Sequence, residues 1–166
     1  MRPDGRISRF YGAGAARHTD AVFLYPLLMN MLKTLDVVCA ILEKDGKILL
    51  ARRPDHADQP GMWEFAGGKV ERGETQPEAL IRELREELAI EAQPGRYVAS
   101  HQREVSQRLI HLHAWHVPHF SGMPVAHYHS QLVWCTPRQA LDYDLAPADI
   151  PLLEAFILLR DATPAD

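Results

Sequence analysis

The sequence predicts a single α/β domain that combines apolar strands with one acidic amphipathic helix and a closing helix. Short apolar segments between turn residues indicate the strands, and a repeat at Leu80, Leu84 and Leu88 indicates the acidic helix. A chain of 166 residues has the usual size of one domain and can bury a sizeable core. No internal repeat or interdomain linker is visible in the sequence.

Two strands joined by a hairpin are predicted near the start of this domain. They cover Val37–Leu42 and Ile48–Arg52, and Asp45-Gly46 between them is a strong hairpin signal. A loop follows as far as Pro60-Gly61, and a short strand is predicted at Trp63–Phe65.

The acidic helix that comes next carries its own start signals. Thr75 followed by Glu78 predicts a capping box, in which each side chain accepts a hydrogen bond from the other residue's backbone N–H. Pro77 lies in the first turn, where its missing N–H does no harm. The leucine repeat, with Ile81 alongside, predicts that one face is buried.

Four further elements are predicted in the second half of the chain. Strands are expected at Arg96–Arg103, Leu109–Val117 and Leu132–Cys135, and the closing helix at Ile150–Arg160.

Three glutamates of the acidic helix, Glu83, Glu86 and Glu87, stand three and four residues apart or adjacent. Like charges at these spacings repel each other on a helix by about a few tenths of a kcal/mol. At about 100° per residue, the three carboxylates fall within an arc of roughly 100° on one face. A hard divalent cation, which prefers oxygen ligands, would offset this repulsion. The helix therefore predicts a metal site.

The segment before the helix runs from Glu64 to Lys69 and contains the paired glycines Gly67 and Gly68. Glycine allows backbone conformations with positive φ and the close approach of a ligand. A short strand, a glycine turn and an acidic helix together predict a cradle for a metal-bound polyphosphate.

Arg82 lies four residues after Glu78 and four before Glu86. At this spacing on a helix it is expected to bind both carboxylates.

These residues match a known signature, the Nudix box: glycine-x5-Glu-x7-Arg-Glu-aliphatic-x-Glu-Glu-x-Gly-aliphatic. The positions that match are Gly68, Glu74, Arg82, Glu83, Leu84, Glu86, Glu87 and Ile90. The one departure is Ala89, where the pattern has glycine, and we expect it to alter local geometry more than chemistry. The chain therefore resembles the Nudix hydrolase superfamily.

The resemblance covers residues 31–166 and is strongest with the MutT-like branch, in particular with bacterial CTP pyrophosphohydrolases. The stretches that carry it are WEFAGGKVE, RELREEL, YVASHQREVS, HLHAWHVP and LAPADIPLLEAF. It implies the Nudix fold, a mixed β-sheet sandwiched between α-helices. It also implies the metal-dependent hydrolysis of a nucleoside triphosphate to a monophosphate and pyrophosphate.

By this resemblance the metal ligands are Glu83, Glu86 and Glu87, helped by the carbonyl of Gly67, and the ion is Mg²⁺ or Mn²⁺. Such an ion would neutralise phosphate charge and lower the pKa of an attacking water. Glu74, in the loop before the helix, is a candidate for orienting or deprotonating that water, ranked below the helix glutamates. Arg82 is expected to be structural.

The resemblance favours cytosine nucleotides (CTP, dCTP or 5-methyl-dCTP), with oxidised nucleotides as a further option. Asp149 occupies the place where related enzymes carry a base-reading side chain. As an ionised acceptor it could bind the exocyclic amine of cytosine and disfavour uracil, or it could simply cap the last helix.

Other candidate contacts to the substrate are basic and aromatic. Arg53 and Lys69 are candidates for binding phosphate, and Arg108 for binding phosphate or sugar, although each could equally be a solvated surface residue. Phe65 and Trp63 could stack on the base or belong to the core.

A second departure concerns a fourth carboxylate that MutT-like enzymes often contribute from a distant loop. No Asp or Glu occurs between Glu104 and Asp142, and Tyr128, between His127 and His129, stands at the matching place. Water, substrate phosphate or a histidine could complete the metal shell, or metal affinity could be weaker.

Nine histidines raise the alternative of a zinc site, above all His111 and His113, which share one face of a predicted strand. No cysteine cluster accompanies them, and the other histidines lack a fixed ligand spacing. A polar strand face or a pocket lining is the favoured interpretation.

Composition excludes several other classes of function. A net charge of −4 gives no electrostatic case for binding nucleic-acid polymers, so the expected partner is a small-molecule nucleotide. Cys39 and Cys135 lie in apolar runs and are expected to be buried thiols of a cytoplasmic protein. A monomer or a homodimer is expected.

Residues 1–30 differ from the Nudix-like domain at 31–166 and are expected to be a disordered extension, which a start codon placed too early could explain. The apolar run Ala21–Met29 superficially suggests a signal peptide, but Pro26 interrupts it, and no small-residue cleavage site follows. The run is also too short to span a membrane.

Two alternatives to a triphosphate pyrophosphohydrolase remain open. The chain could be a Nudix hydrolase of another nucleoside diphosphate derivative, because the box addresses only the phosphates and the metal. It could also be a non-catalytic nucleotide-binding module, which the complete glutamate set argues against.

Overall fold

The computed structural model describes residues 33–162, which form nine β-strands and three helices. The strands are β1 (Lys33–Lys44), β2 (Lys47–Arg52), β3 (Trp63–Glu64), β4 (Gly67–Lys69), β5 (Glu91–Gln93), β6 (Tyr97–Val105), β7 (Arg108–Val117), β8 (His119–Ser121) and β9 (Gln131–Cys135). The helices are α1 (Gln76–Leu88), α2 (Pro137–Ala140) and α3 (Asp149–Ala162). Every element predicted from the sequence is present, with its ends shifted by one or a few residues.

The sheet is mixed, as predicted. Its main path runs β3-β2-β1-β7-β6, with β4 paired to β1 and β9 paired to β2. Strand β1 runs parallel to β7 and antiparallel to β2 and β4. Strands β5 and β8 form a separate antiparallel pair. Because β1 and β7 run in the same direction, the first residues of both strands lie beside each other at one end of the sheet.

Two hairpins have the same turn geometry but very different sequences. Asp45 and Gly46 both have positive φ, 53° and 76°, which is the type I′ turn that Asp-Gly favours. Ser106 and Gln107, which join β6 to β7, also have positive φ, 49° and 64°. No turn signature marks Ser106-Gln107 in the sequence, so only the first hairpin was predicted.

Two hydrophobic cores lie on opposite faces of β1. Val38, Ala40 and Leu42 point to one face and pack with Ala79, Leu80, Leu84 and Leu88 of α1. Cys39 and Ile41 point to the other face and pack with Leu152, Leu153 and Phe156 of α3. Burial on both faces explains why this part of β1 reads as an unbroken apolar run. The predicted sandwich of a sheet between helices is confirmed.

Some predictions concern residues that the structure does not describe. The proposed extension at 1–30, including Ala21–Met29, lies outside the described residues. Both cysteines, by contrast, are buried free thiols, as predicted. Within residues 33–162, no helix is long and apolar enough to cross a membrane.

Candidate active site

Helix α1 begins as the sequence predicts. The Thr75 hydroxyl accepts a hydrogen bond from the Glu78 N–H at 3.2 Å, and the Glu78 carboxylate accepts one from the Thr75 N–H at 3.1 Å. The helix ends at Ala89, which adopts the left-handed conformation with φ 57° and ψ 36°. Glycine takes this conformation without steric cost, which explains the preference of the Nudix pattern. Ala89 therefore keeps the geometry of the pattern at an energetic cost.

The paired glycines bring the backbone of β4 against its neighbours. A Cβ atom on Gly67 would collide with the carbonyl oxygen of Val38, and one on Gly68 would collide with the Glu83 carboxylate. Neither glycine has positive φ, so the freedom of glycine to adopt such backbone angles is not used here. Close approach is the physical reason for both residues, and it allows a glutamate of α1 to lie directly on the strand.

The three helix glutamates differ in their exposure. The side chains of Glu83 and Glu87 are 16% and 13% exposed, whereas that of Glu86 is 59% exposed. One Glu87 oxygen accepts a hydrogen bond from the Gly67 N–H at 3.1 Å. The cluster therefore has two carboxylates pressed against the sheet and a third at the solvent edge.

Glu87 is the most strongly perturbed of these acids. Burial raises its pKa to about 8, and the nearby charges of Glu83 and Glu64 act in the same direction. The hydrogen bond from Gly67 opposes this shift only in part. Several carboxylates share one partly buried space, and a bound cation would relieve their repulsion.

Glu64 is a site residue that the sequence pattern does not reveal. It lies at the end of β3, where one oxygen accepts a hydrogen bond from Arg53 at 2.7 Å and the other lies 2.9 Å from Nε2 of His129. A charged residue inside the apolar stretch Trp63-Glu64-Phe65 was the available signal. Strand alternation alone does not reveal that its carboxylate faces the acidic helix.

The loop before β9 carries His129 to the same place. Backbone N–H groups of Val125 and His127 donate hydrogen bonds to the carbonyls of Leu88 and Glu87, at 2.9 and 3.1 Å. These carbonyls belong to the last turn of α1, where helix oxygens lack partners within the helix. The loop is thus fastened to the end of the helix that carries Glu87.

The His129 side chain is fully buried, and its Nδ1 atom has no hydrogen-bond partner. In the neutral tautomer that donates Nε2–H to the Glu64 carboxylate, Nδ1 carries a lone pair. Nδ1 lies 4.0 Å from the second oxygen of Glu87. Tyr128 is 41% exposed and packs edge-on against His129, with ring centroids 5.0 Å apart. Of the two residues, His129 is the one aimed into the carboxylate cluster.

Arg82 holds the loop before α1 onto the helix. Its Nε and Nη2 atoms donate to the two oxygens of Glu74 at 2.8 and 2.9 Å, and Nη1 donates to Glu83 at 2.8 Å. Nη1 also lies 3.5 Å from Glu86, as predicted. The predicted contact with Glu78 is wrong, because the carboxylate of Glu78 caps the helix at Thr75 instead.

The pKa of Glu74 is shifted in the opposite direction from the pKa of Glu87. The hydrogen bonds from Arg82 lower the pKa of Glu74 to about 2, helped by the hydrogen bond from the Glu71 N–H at 2.8 Å. A carboxylate with this pKa is a weak base. The geometry therefore favours a positioning role for Glu74 over proton abstraction from water.

Asp149, the first residue of α3, is buried, with 5% of its surface exposed. Burial and the charge of Glu64 raise its pKa to about 8. Its carboxyl group accepts a hydrogen bond from the Phe65 N–H at 3.4 Å, and Phe65 lies outside its own helix. This contact does not favour the alternative that Asp149 serves only as a helix cap.

The other candidate contacts to the substrate are spread over the structure. Arg53 is engaged with Glu64 and with Asp58, and Lys69 is exposed at the end of β4. Phe65 is only 3% exposed and packs in the α3 core. Trp63 is partly buried and packs edge-on against Tyr143, with ring centroids 5.3 Å apart.

Arg108 is not brought to the acidic cluster. It pairs with Lys33 at the beginning of β1, whereas Gly68 pairs with Val38. At about 3.3 Å per residue, these two levels of the sheet are roughly 16 Å apart.

Comparison with known proteins decides the family. A model of the NUDIX domain matches residues 32–156. The chain belongs to the NUDIX family. This Nudix hydrolase is thus an enzyme acting on acid anhydrides, and the predicted family and enzyme class are confirmed. Nudix hydrolases generally depend on divalent metal ions, which agrees with the predicted requirement for a metal.

Two curated relatives of this Nudix hydrolase are similar over most of their length. The CTP pyrophosphohydrolase of Escherichia coli K12 is 69% identical over 135 residues, which is 81% of this chain and all of that protein. A putative 8-oxo-dGTP diphosphatase 2 of Mycobacterium tuberculosis is 35% identical over 117 residues, covering 68% of this chain and 81% of that protein.

A solved structure agrees with the fold. The solution structure of the E. coli ORF135 protein superposes on this Nudix hydrolase with a TM-score of 0.76 and 68% identity, covering 82% of this chain and 98% of that one.

Proposed function

We propose that this enzyme hydrolyses cytosine nucleoside triphosphates (CTP, dCTP or 5-methyl-dCTP) to the monophosphate and pyrophosphate, with Mg²⁺ as the physiological ion and Mn²⁺ as a substitute. The observation that carries the proposal is the 69% identity to a protein named CTP pyrophosphohydrolase, over the whole length of that protein. The carboxylate cluster around Glu87 supports the metal requirement independently of that name.

The carboxylates of the cluster supply the oxygen donors that a hard divalent ion prefers. Glu83 and Glu87 are partly buried carboxylates with few cationic neighbours apart from Arg82, and Glu86 closes the cluster on the solvent side. The unpartnered Nδ1 of His129 adds a lone pair beside Glu87. We assign Glu83, Glu86 and Glu87 as ligands, with the Gly67 carbonyl as predicted, and His129 as the group that replaces the absent distant carboxylate.

We assign different roles in the reaction to the other residues of the site. A bound divalent ion supplies neutralisation of the phosphate charge and a more acidic water. Arg82 keeps the loop of Glu74 and the carboxylate of Glu83 in fixed positions. Arg53 and Lys69 remain the candidates for binding the phosphates, and Arg108 for binding the sugar end of the nucleotide. The base of the reaction is to be sought among the buried carboxylates rather than at Glu74, whose pKa is about 2.

We assign base recognition to Asp149. The prediction from sequence treats this carboxyl group as ionised, and its pKa changes that assumption. Its pKa of about 8 means that the group is mainly a neutral acid at pH 7, able to donate as well as accept. Only the ionised form is restricted to accepting from the cytosine amine. The preference for CTP over UTP is therefore expected to grow as the pH rises through about 8.

This assignment has a direct test. The ratio of kcat/KM for CTP to that for UTP is measured from pH 6.5 to 9 in the native enzyme and in Asp149→Asn. We expect the ratio to rise with pH in the native enzyme and to stay low and flat in the variant. The amide of asparagine does not ionise, and it can both donate and accept hydrogen bonds. An unchanged profile in the variant would remove Asp149 from base recognition.

The substrate itself is tested with a panel of nucleotides in Mg²⁺, with the products identified. The panel contains CTP, dCTP, 5-methyl-dCTP, UTP, 8-oxo-dGTP, nucleotide sugars and dinucleotides. Release of CMP and pyrophosphate supports the proposal, and a preference for 8-oxo-dGTP would instead favour the activity in the name of the M. tuberculosis relative. Absence of turnover on every compound would point to the non-catalytic alternative.

The role of the loop before β9 is tested by Tyr128→Glu and His129→Gln. Restoring a carboxylate at position 128 is expected to raise Mg²⁺ affinity, and removing the imidazole is expected to lower Mn²⁺ affinity more than Mg²⁺ affinity, because Mn²⁺ accepts nitrogen ligands more readily. Binding is followed by calorimetry without nucleotide. An unaltered metal affinity in both variants would count against this loop as part of the metal shell.

Cytoplasmic location and a monomeric or homodimeric state remain predictions.

A further inference from the structure

A second group of metal-ligating side chains is formed by residues outside the carboxylate cluster of α1. Asp36 of β1 and His111 and His113 of β7 place one ligand atom each within 4.8 Å of one another. Nε2 of His113 lies 3.1 Å, and Nδ1 of His111 lies 3.7 Å, from the same carboxylate oxygen of Asp36. The sequence favours a polar strand face or a pocket lining for the two histidines, because no cysteine cluster or fixed ligand spacing accompanies them, and Asp36 lies 75 positions before His111 in the chain.

The parallel pairing of β1 and β7 creates this group. Asp36 pairs directly with His111, and Val38 pairs with His113. Residues opposite one another on neighbouring strands project from the same face of the sheet, as do residues two apart on one strand. The three side chains are thus held by the backbone of two central strands rather than by a loop.

We propose that Asp36, His111 and His113 form a binding site for a divalent transition-metal ion such as Zn²⁺. With bonds of about 2.0–2.2 Å and tetrahedral angles, neighbouring ligand atoms are separated by roughly 3.3–3.6 Å. The separations of 3.1 and 3.7 Å from the Asp36 oxygen lie just outside this range on either side, so small side-chain movements would bring both into it. Two imidazoles and one carboxylate suit Zn²⁺, Co²⁺ or Ni²⁺ better than Mg²⁺.

The contact of Tyr97 with His113 is a second, independent observation that supports a preformed metal site. Its hydroxyl lies 2.9 Å from Nδ1 of His113, on the ring nitrogen that faces away from Asp36. In metal-binding histidines the second ring nitrogen is usually held by a hydrogen bond, which fixes the ring and its tautomer. Here a proton on Nδ1 would be donated to the Tyr97 oxygen, leaving Nε2 free to bind the ion.

A simple hydrogen bond between Asp36 and His113 does not account for the arrangement of His111. The two imidazole rings are tilted by 40° with their centroids 4.0 Å apart, and both direct a nitrogen to one oxygen. The His113 side chain is 8% exposed, whereas those of His111 and Asp36 are 27% and 50% exposed. The site therefore has a buried ligand as its floor and an open side for entry of the ion and for a water ligand.

The site is separate from the proposed Mg²⁺ cluster in its ligands and in its chemistry. Within the part of the chain that the structure describes, the polar side-chain contacts of Asp36, His111 and His113 are with one another and with Tyr97. The cluster on α1 offers mainly oxygen, whereas this site offers mainly nitrogen. That difference allows the two sites to be loaded separately.

The test is a titration of the full-length protein with Co²⁺ in a large excess of Mg²⁺, followed by visible absorption. We expect one equivalent to give the absorption bands of a four- or five-coordinate ion. The bands should be lost in both His111→Gln and His113→Gln and weakened in Asp36→Asn. Tyr97→Phe should lower the affinity by about 10–100-fold, the usual effect of removing such a hydrogen bond.

Two controls separate this site from the other candidates. His119→Gln removes an exposed histidine of β8 and should leave the bands unchanged. The double substitution Glu86→Gln with Glu87→Gln alters the α1 cluster and should also leave them unchanged. Circular dichroism establishes that each variant is folded, and the more exposed His111 gives a test if His113→Gln does not fold.

A thermal measurement gives a second readout. Zn²⁺ bound only by the folded state should raise Tm in the native protein as its concentration increases, and should fail to do so in His111→Gln. No binding of Co²⁺ by the native protein would overturn the proposal. Bands that survive both histidine substitutions but disappear in the double glutamate variant would also overturn it. Neither result would bear on the hydrolysis of nucleotides.

Discussion

Glu74 and Glu87 belong to one sequence motif, yet the fold gives them opposite properties. Glu74 lies at the loop end of the motif, where two hydrogen bonds from Arg82 hold its pKa at about 2. Glu87 lies against the sheet, where burial and the charges of Glu83 and Glu64 raise its pKa to about 8. The first carboxylate already has its cation within the protein, and the second lacks one. Of the two, only Glu87 is therefore suited to take up a metal ion.

The largest expected effect comes from removing the carboxylate that lacks a partner. Glu87→Gln should lower kcat in Mg²⁺ by roughly 10²–10⁴-fold, the range found for groups that take part in the chemical step. Steady-state kinetics on CTP measures this, with Glu154→Gln on the exposed side of α3 as a matched control. If the activity of Glu87→Gln stayed within a factor of a few of the native value, Glu87 would not be the metal-binding carboxylate, and that distinction from Glu74 would be wrong.

A smaller effect is expected at the other end of the motif. Glu74→Gln should lower kcat/KM by about 10–100-fold, as is typical when a group that orients a metal ligand is removed. Because Glu74 acts through Arg82 and not as a base, the pH profile of kcat should keep its shape. If the acidic limb of that profile vanished in Glu74→Gln, Glu74 would be the general base and the positioning role would be wrong.

Metal binding should depend on pH through Glu87. Below about pH 8 an ion must displace a proton from this carboxylate, so Mg²⁺ affinity should rise by up to about tenfold per pH unit between pH 6 and 8 and then level off. Calorimetry in buffers of different ionisation enthalpy measures the protons released. Glu87→Gln should abolish this release, while Asp149→Asn, whose carboxyl group titrates near the same pH, should retain it.

The same two carboxylates give opposite contributions to stability in the metal-free protein. Between pH 4.5 and about 8 the folded state keeps a proton on Glu87 that the unfolded chain has lost, so the free energy of unfolding falls as the pH rises. Glu74 acts in the other direction, because its ion pair is present above pH 4.5 and is lost as the pH falls towards 2. Urea unfolding across this range should show both trends, and a flat profile would contradict them.

The smallest effect concerns the end of α1 that carries Glu87. Ala89→Gly should stabilise the protein by about 1 kcal/mol, because glycine adopts the left-handed conformation without a Cβ clash. Urea unfolding measures the change. Ala155→Gly, inside α3, is the matched control and should destabilise by about 1 kcal/mol. A loss of stability in both variants would mean that Ala89 is not under strain.

The local features of this protein follow from its amino-acid sequence alone. The capping box at Thr75 and Glu78, the leucine stripe of α1 and the Asp45-Gly46 turn each depend on residues a few positions apart, and all three are found. The Nudix pattern is equally local, because its positions all lie between Gly68 and Ile90. The order of residues along the chain is therefore enough to predict the family.

Which charges meet depends instead on the tertiary fold. Glu64 and His129 reach the end of α1 from distant segments, and Arg82 binds Glu74 rather than Glu78 because the loop folds back onto the helix. Asp36 likewise meets His111 and His113 only through the parallel pairing of β1 and β7. Charge and coordination act through space at a few ångströms, whereas helix and turn signals act along the chain, so spacing alone could not reveal these partners.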